Sequence, residues 1–281
     1  MIHLDCDYMA GAHPEVLEAL VKKNGVQTPG YGYDAFCDEA KAKIREACGA
    51  PDAEIFFLVG GTQTNSVMID ALLHRTEGVL AAETAHIAVH EAGAVELHGH
   101  KVLTLPSHEG KVEATEVRQY LATFYADDTH EHMVAPGMLY ISFPTELGTL
   151  YSLPELEALH TVCAEYHIPL YIDGARLGYG LAASKDVTLK DIAHLSDVFY
   201  IGGTKMGALL GEAVVCTMPG ALKGFFTLQK ACGVVLAKGR LMGLQFGVLF
   251  SGDLYLRIGR HGVGLALKLR RALEDKGYKP F

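Results

Sequence analysis

The chain has 281 residues, of which 49% are hydrophobic and 20% charged, enough for one large domain with an appendage or two modest ones. The formal net charge of -9 is spread over interspersed acidic and basic residues, which argues against a nucleic-acid partner. No apolar stretch approaches the ~18 residues of a membrane span, and MIHLDCDYMAG lacks the basic start and long apolar run of a signal peptide. The six cysteines (Cys6, Cys37, Cys48, Cys163, Cys216, Cys232) form no CxxC, so neither a disulfide framework nor a zinc site is indicated and a cytoplasmic protein is expected.

In chain order, PEVLEALVKKN (14–24) predicts a short helix with Pro14 in its first turn, and the Gly- and Tyr-rich stretch 25–38 predicts a loop. Seven apolar runs of strand length follow: EIFFLV (54–59), GVLAA (78–82), KVLTLP (101–106), GMLYISF (137–143), IPLYID (168–173), DVFYIG (197–202) and EAVVCTM (212–218). Near-continuous apolar runs suit strands buried on both faces. Between them TNSVMIDALLHR, AVHEAGAVEL, EATEVRQYLATFYA and PELEALHTVCAEYH read as helices with polar faces. The pattern predicts an α/β fold with a mostly parallel seven-stranded sheet. After Gly220 the chain reads as mainly helical. The expected divisions are an N-terminal segment 1–40, a large α/β domain 41–225, and a helical segment 226–281 leading into a small terminal domain.

Ligands of open α/β sheets bind beyond the carboxyl ends of the strands, so the residues there carry the chemistry. After EIFFLV, GGTQTN offers either an anion cradle at a helix N-terminus or an ordinary turn with Thr62 as cap. Asp173 ends IPLYID, and Arg176 is either its ion-pair partner or free to grip a substrate carboxylate. His86 opens the helix after GVLAAE. In FYIGGTKMGALLGEAVV a single Lys205 lies between apolar runs, either snorkelling or in use. Pyridoxal phosphate requires all four kinds of group: a lysine for a Schiff base, a carboxylate on the pyridine nitrogen, an anion site, and a flat ring to stack on. An apolar setting lowers a lysine pKa in the direction that this use needs.

GGTQTN, HIAVHEAGA, YIDGARL and GGTKMGALLGEAVV resemble, in order and spacing, the low-specificity threonine aldolase and phenylserine aldolase group within the β-eliminating lyase family of fold-type I pyridoxal-phosphate enzymes. The specific part is DGARL followed, 32 residues after its Asp, by Gly-Thr-Lys. The resemblance implies that Lys205 is the Schiff-base lysine, that Asp173 holds the pyridinium proton, and that His86 stacks on the ring. Gly61, Thr62 and Thr204 would hold phosphate, with Arg240 reaching it from a neighbouring subunit. Arg176 would bind the substrate carboxylate, with Cys6 as a further substrate contact and Tyr31 as an active-site tyrosine reached near a subunit interface, so a homodimer or homotetramer with shared sites is implied. Three departures stand out: Cys6 occupies the place of a serine, PTELG puts Glu146 where the classical aldolases carry a histidine, and family chains continue past a point like Phe281. The implied reaction is cleavage of a small β-hydroxy-α-amino acid to glycine and an aldehyde. The alternatives are β-elimination to pyruvate and ammonia, or a catalytically silent relative. Sequence does not choose the base for the β-hydroxyl among His86, a water held by His86 or Glu146, and the phosphate, and it indicates no metal.

Overall fold

The computed structural model describes residues 3–218 and 220–279. Helices α1 (Pro14–Lys23) and α2 (Ala35–Cys48) precede strand β1 (Glu54–Leu58) and helix α3 (Gly61–Leu72). Then come β2 (Glu77–Ala82), the single turns α4 (His86–Val89) and α5 (Ala94–Leu97), β3 (Val102–Leu105), α6 (Ala114–Ala126), β4 (Ala135–Ser142) and α7 (Leu153–Tyr166). The second half runs through β5 (Leu170–Asp173), α8 (Leu177–Ala183), α9 (Leu189–Leu195), β6 (Val198–Gly202) and β7 (Glu212–Cys216) to helices α10 (Phe225–Ala231), α11 (Arg240–Leu249) and α12 (Leu254–Glu274).

All seven expected strands form one sheet in the order β1-β7-β6-β5-β4-β2-β3. The block β6-β5-β4-β2-β3 is parallel, while β7 runs antiparallel to both β6 and β1. Central strands β5, β6 and β7 are buried along their whole length, as their unbroken apolar runs require. The reversal of β7 has a consequence for chemistry. Its first residue, Glu212, pairs with Gly202 at the end of β6 and with Leu58 at the end of β1. One edge of the sheet therefore gathers Leu58, Ser142, Asp173, Gly202 and Glu212.

The helical expectations need local correction. The 25–38 loop ends early, because Asp34 caps α2 by accepting hydrogen bonds from the Phe36 and Cys37 amides, at 3.1 and 3.0 Å. AVHEAGAVEL is not one helix: Ala92 and Gly93 take left-handed φ values of 52° and 74° and split it into two turns. The first helix after β1 starts at Gly61 rather than near Thr64, and α8 and α9 were too short to carry a visible period. No helix among the described residues is long and apolar enough to cross a membrane.

Helix α11 packs closely on α2. A Cβ at Gly243 would lie 2.5 Å from the Cys37 amide nitrogen and 2.6 Å from its Cα, contacts with backbone that no rotamer change relieves. Replacing Gly by Ala gains about 1 kcal/mol of helix propensity, whereas overpacking costs roughly 1–3 kcal/mol. Gly243→Ala should therefore lower stability in urea unfolding. Gly247→Ala on the same helix, whose new Cβ would meet only Ala40 Cβ at 3.9 Å, should be neutral or stabilising. Equal effects of the two substitutions would contradict this packing.

Candidate active site

Beyond the convergent sheet edge lies a cavity of about 410 Å³, within the usual range for a small-molecule site. Gly61, Thr62, His86, Glu146, Asp173, Arg176, Thr204 and Lys205 all line it. Cys6, Tyr31 and Arg240 do not. Tyr31 lines a separate cavity with Phe57 and Phe226, where the Lys230 ammonium lies 4.5 Å from its ring centroid. The Arg240 guanidinium donates to the Asn24 carbonyl at 3.0 Å.

Asp173 is 5% exposed, and a carboxylate at that depth needs hydrogen-bond donors. There are four: Tyr140 and Tyr200 hydroxyls at 2.6 Å each, the Ala175 amide at 2.9 Å and Asn65 Nδ2 at 3.0 Å. Arg176 is not its partner. Burial and then the nearby Asp173 charge hold the Tyr140 and Tyr200 phenols far above their ordinary pKa, so both remain donors.

Asn65 connects Asp173 to a second buried carboxylate. The same Nδ2 also donates to Glu91 Oε1 at 2.8 Å, and His86 Nδ1 meets that oxygen at 2.7 Å. Hydrogen bonding to Glu91 raises the His86 pKa, and burial opposes this without cancelling it. Glu91 Oε2 is buried with no partner among the described residues. Glu146 stands on the other side of His86: its Oε1 accepts from the His86 amide at 3.0 Å and from the Ser142 hydroxyl at 2.6 Å.

Lys205 has no carboxylate within ion-pair distance among the described residues, and the Tyr8 ring centroid lies 5.9 Å from Nζ. Burial, followed by the charge of Arg176, lowers its pKa. Arg176 is held from the N-terminal segment instead: Asp7 takes its guanidinium in a two-pronged pair, through Nε and through Nη2 at 3.1 Å. Burial works against the charge on Asp7, but the Arg176 hydrogen bond and charge prevail and its pKa is lowered. The turn carrying Lys205 is tied down by Glu212, whose Oε2 accepts from the Gly203 amide at 2.9 Å.

The first turn of α3 faces the same space. Its N-cap, Gly60, has an extended backbone and no side chain caps the helix, so Thr62 is not a cap and the amide donors of the first turn remain open. A Cβ at Gly60 would meet nothing within 4 Å, which leaves room for a group against the backbone. An uncapped helix N-terminus, a lysine with a depressed pKa, a buried carboxylate fixed by four donors and a half-exposed imidazole match the phosphate, carbonyl, ring nitrogen and ring face of pyridoxal phosphate. Fold and cavity thus define a fold-type I pyridoxal-phosphate enzyme, and that cofactor fits the residues present.

The chain belongs to the beta-eliminating lyase family, whose sequence profile matches residues 4–274. It is 30% identical over 275 residues to a low specificity L-threonine aldolase of Pseudomonas sp. (strain NCIMB 10558), covering 96% of this chain and 77% of the relative. Among solved structures it is similar to a threonine aldolase from Leishmania major, with a TM-score of 0.91 and 40% identity over 97% of this chain and 79% of that one. An aspartate aminotransferase from Thermus thermophilus shares the fold, with a TM-score of 0.72 at 18% identity.

Six groups that sequence reasoning passed over complete the cavity or support it: Asp7, Asn65, Glu91, Tyr140, Tyr200 and Glu212. Two signals were present. The strands LYIS, LYID and FYIG each carry a tyrosine two residues before their carboxyl end, and Glu91 and Glu212 are carboxylates set among apolar residues.

Burial raises the Glu212 carboxyl from 4.5 to about 8. Between those values the unfolded chain has released a proton that the folded chain keeps, so this group makes stability fall as pH rises from about 4.5 to about 8. Glu212→Gln keeps an acceptor for Gly203 and removes the titration. In thermal unfolding, its advantage over the parent should grow from about pH 5 to about pH 8. A difference that does not change with pH would count against the buried carboxyl.

Proposed function

We propose that the chain cleaves the Cα–Cβ bond of a β-hydroxy-α-amino acid of the threonine or phenylserine type, yielding glycine and an aldehyde. The observation that carries this reading is Glu146. Any enzyme of this cofactor class needs the lysine and the aspartate, but aldol cleavage also needs a base for the β-hydroxyl proton. Glu146 is anchored through one oxygen by Ser142 and the His86 amide, which leaves Oε2 for the cavity.

When bound, pyridoxal phosphate supplies the electrophilic carbon that takes an amine and the conjugated ring that accepts an electron pair from Cα. Lys205, whose pKa burial and the nearby Arg176 charge lower toward the free amine, would be the residue that holds the cofactor between turnovers. Asp173, fixed by its four donors, would face the ring nitrogen and hold its proton. Glu146 would take the β-hydroxyl proton as the Cβ–O bond becomes the aldehyde carbonyl and Cα–Cβ breaks, and that proton, returned to Cα, would complete glycine. His86, held by Glu91, orients beside the ring. Arg176 receives the substrate carboxylate and so sets which bond at Cα is aligned for cleavage.

That role requires Asp7 to yield, because its carboxylate occupies the fork a substrate carboxylate would use. The pair sits at a half-exposed rim, where such pairs are worth up to about 1 kcal/mol. Asp7→Ala should therefore lower KM for the amino acid by up to about fivefold, with kcat little changed. A raised KM would mean that Asp7 helps to hold substrate. Tyr31 and Arg240 lie outside the cavity of their own chain, which supports a homodimer or homotetramer in which they serve a neighbour's site.

A product assay separates the readings. Given threonine, allo-threonine and phenylserine, the cofactor-loaded protein should release glycine and an aldehyde, and Lys205→Ala should abolish this. Glu146→Gln should keep the cofactor and lose about 10²–10⁴-fold in kcat. Pyruvate and ammonia as the main products would establish β-elimination instead, for which Lys205 at Cα suffices as base.

A further inference from the structure

A second cluster of ligating side chains lies toward the C-terminal end of α3, and none of its three members lines the cavity. Asp70 on α3, His98 at the C-cap of α5 and Cys232 at the C-cap of α10 present a carboxylate oxygen, an imidazole nitrogen and a thiol sulfur, all within 4.8 Å of one another. The Asp70 Oδ2 to His98 Nδ1 separation is 3.3 Å. Ligands in a tetrahedral zinc site, with bonds of about 2.0–2.3 Å, stand about 3.3–3.8 Å apart, so small side-chain adjustments suffice.

The surroundings are those of a built site. His100, 4% exposed, meets the other Asp70 oxygen with Nε2 at 3.3 Å, while its Nδ1 faces the Glu77 carbonyl at 3.1 Å. The carboxylate is thus fixed from behind, as ligating carboxylates are. All three ligands are half-buried, which limits competition from water and leaves one side open for a water as fourth ligand.

We propose that Asp70, His98 and Cys232 bind a divalent cation of the zinc class. One sulfur, one nitrogen and one oxygen donor suit borderline-soft Zn²⁺ or Co²⁺ and disfavour Mg²⁺ or Ca²⁺, which prefer oxygen alone. Cys232 binds as thiolate and releases its proton on binding. The three ligands come from three segments separate in sequence, so the ion ties α10 to α3, the helix whose opposite end faces the cavity. It acts as a staple and takes no part in the bond cleavage.

Titration of the cofactor-loaded protein with Co²⁺ tests this. One equivalent per chain should produce the strong visible ligand-field absorption of a four-coordinate thiolate site, to the red of the cofactor's absorption. Cys232→Ala and His98→Ala should each remove it, whereas Cys6→Ala, at the other half-buried cysteine, should keep it. In the native chain, Zn²⁺ should slow alkylation of Cys232 by tenfold or more and leave Cys6 unaffected. Absence of the absorption at excess Co²⁺, or its survival in Cys232→Ala, overturns the proposal, as does equal protection of both thiols.

Discussion

A carboxylate buried in the middle of a parallel sheet is the constraint on which the rest of this structure depends. An unpaired carboxylate at 5% exposure would cost several kcal/mol. Asp173 escapes that outcome because β4, β6, α3 and its own turn each deliver one donor, at 2.6 to 3.0 Å. Each of these elements supplies one donor to the same carboxylate, which ties the central strands and α3 to one another. The order of the sheet is in this sense also the wiring of the site.

From Asp173 the organisation spreads in two directions. Through Asn65 it reaches Glu91 and His86, a line of shared hydrogen bonds in which each group fixes the next. Across the sheet it reaches the Lys205 turn, which the reversed strand β7 anchors through Glu212. The contrast between the two carboxyls is physical. Asp173 has four donors, whereas Glu212 meets the Gly203 amide at the head of an apolar strand and is pushed up to about 8. Buried carboxyls with such different support occupy one cavity beside an amine whose pKa is lowered, an arrangement that acid-base chemistry uses.

Much of this was legible in the sequence because buried parallel strands announce themselves as apolar runs, and their carboxyl ends point at the site. Eight proposed residues share the cavity for that reason. The reversal of β7 was also readable: the segment 203–211 between β6 and β7 is too short for a parallel crossover. What sequence could not supply was long-range pairing. Nothing near Arg176 indicates that its partner is Asp7, 169 positions away, and nothing in YIS or YIG says that their tyrosines turn toward one carboxylate. The broken helix at Ala92 and Gly93 was missed because helical period outweighed a single Ala-Gly pair. Tyr31 and Arg240 lie outside the cavity, at contacts that chain order does not reveal.

The central claim is that a buried carboxylate held by four donors, Asp173, makes the cavity catalytic, and Asp173→Asn addresses it most directly. The substitution preserves the shape and one acceptor oxygen but removes the charge. With cofactor retention verified by absorbance, kcat for glycine release should fall by about 10²–10³-fold, the usual size of a lost preorganised electrostatic contact. A variant that binds the cofactor and turns over within twofold of the parent would contradict the account.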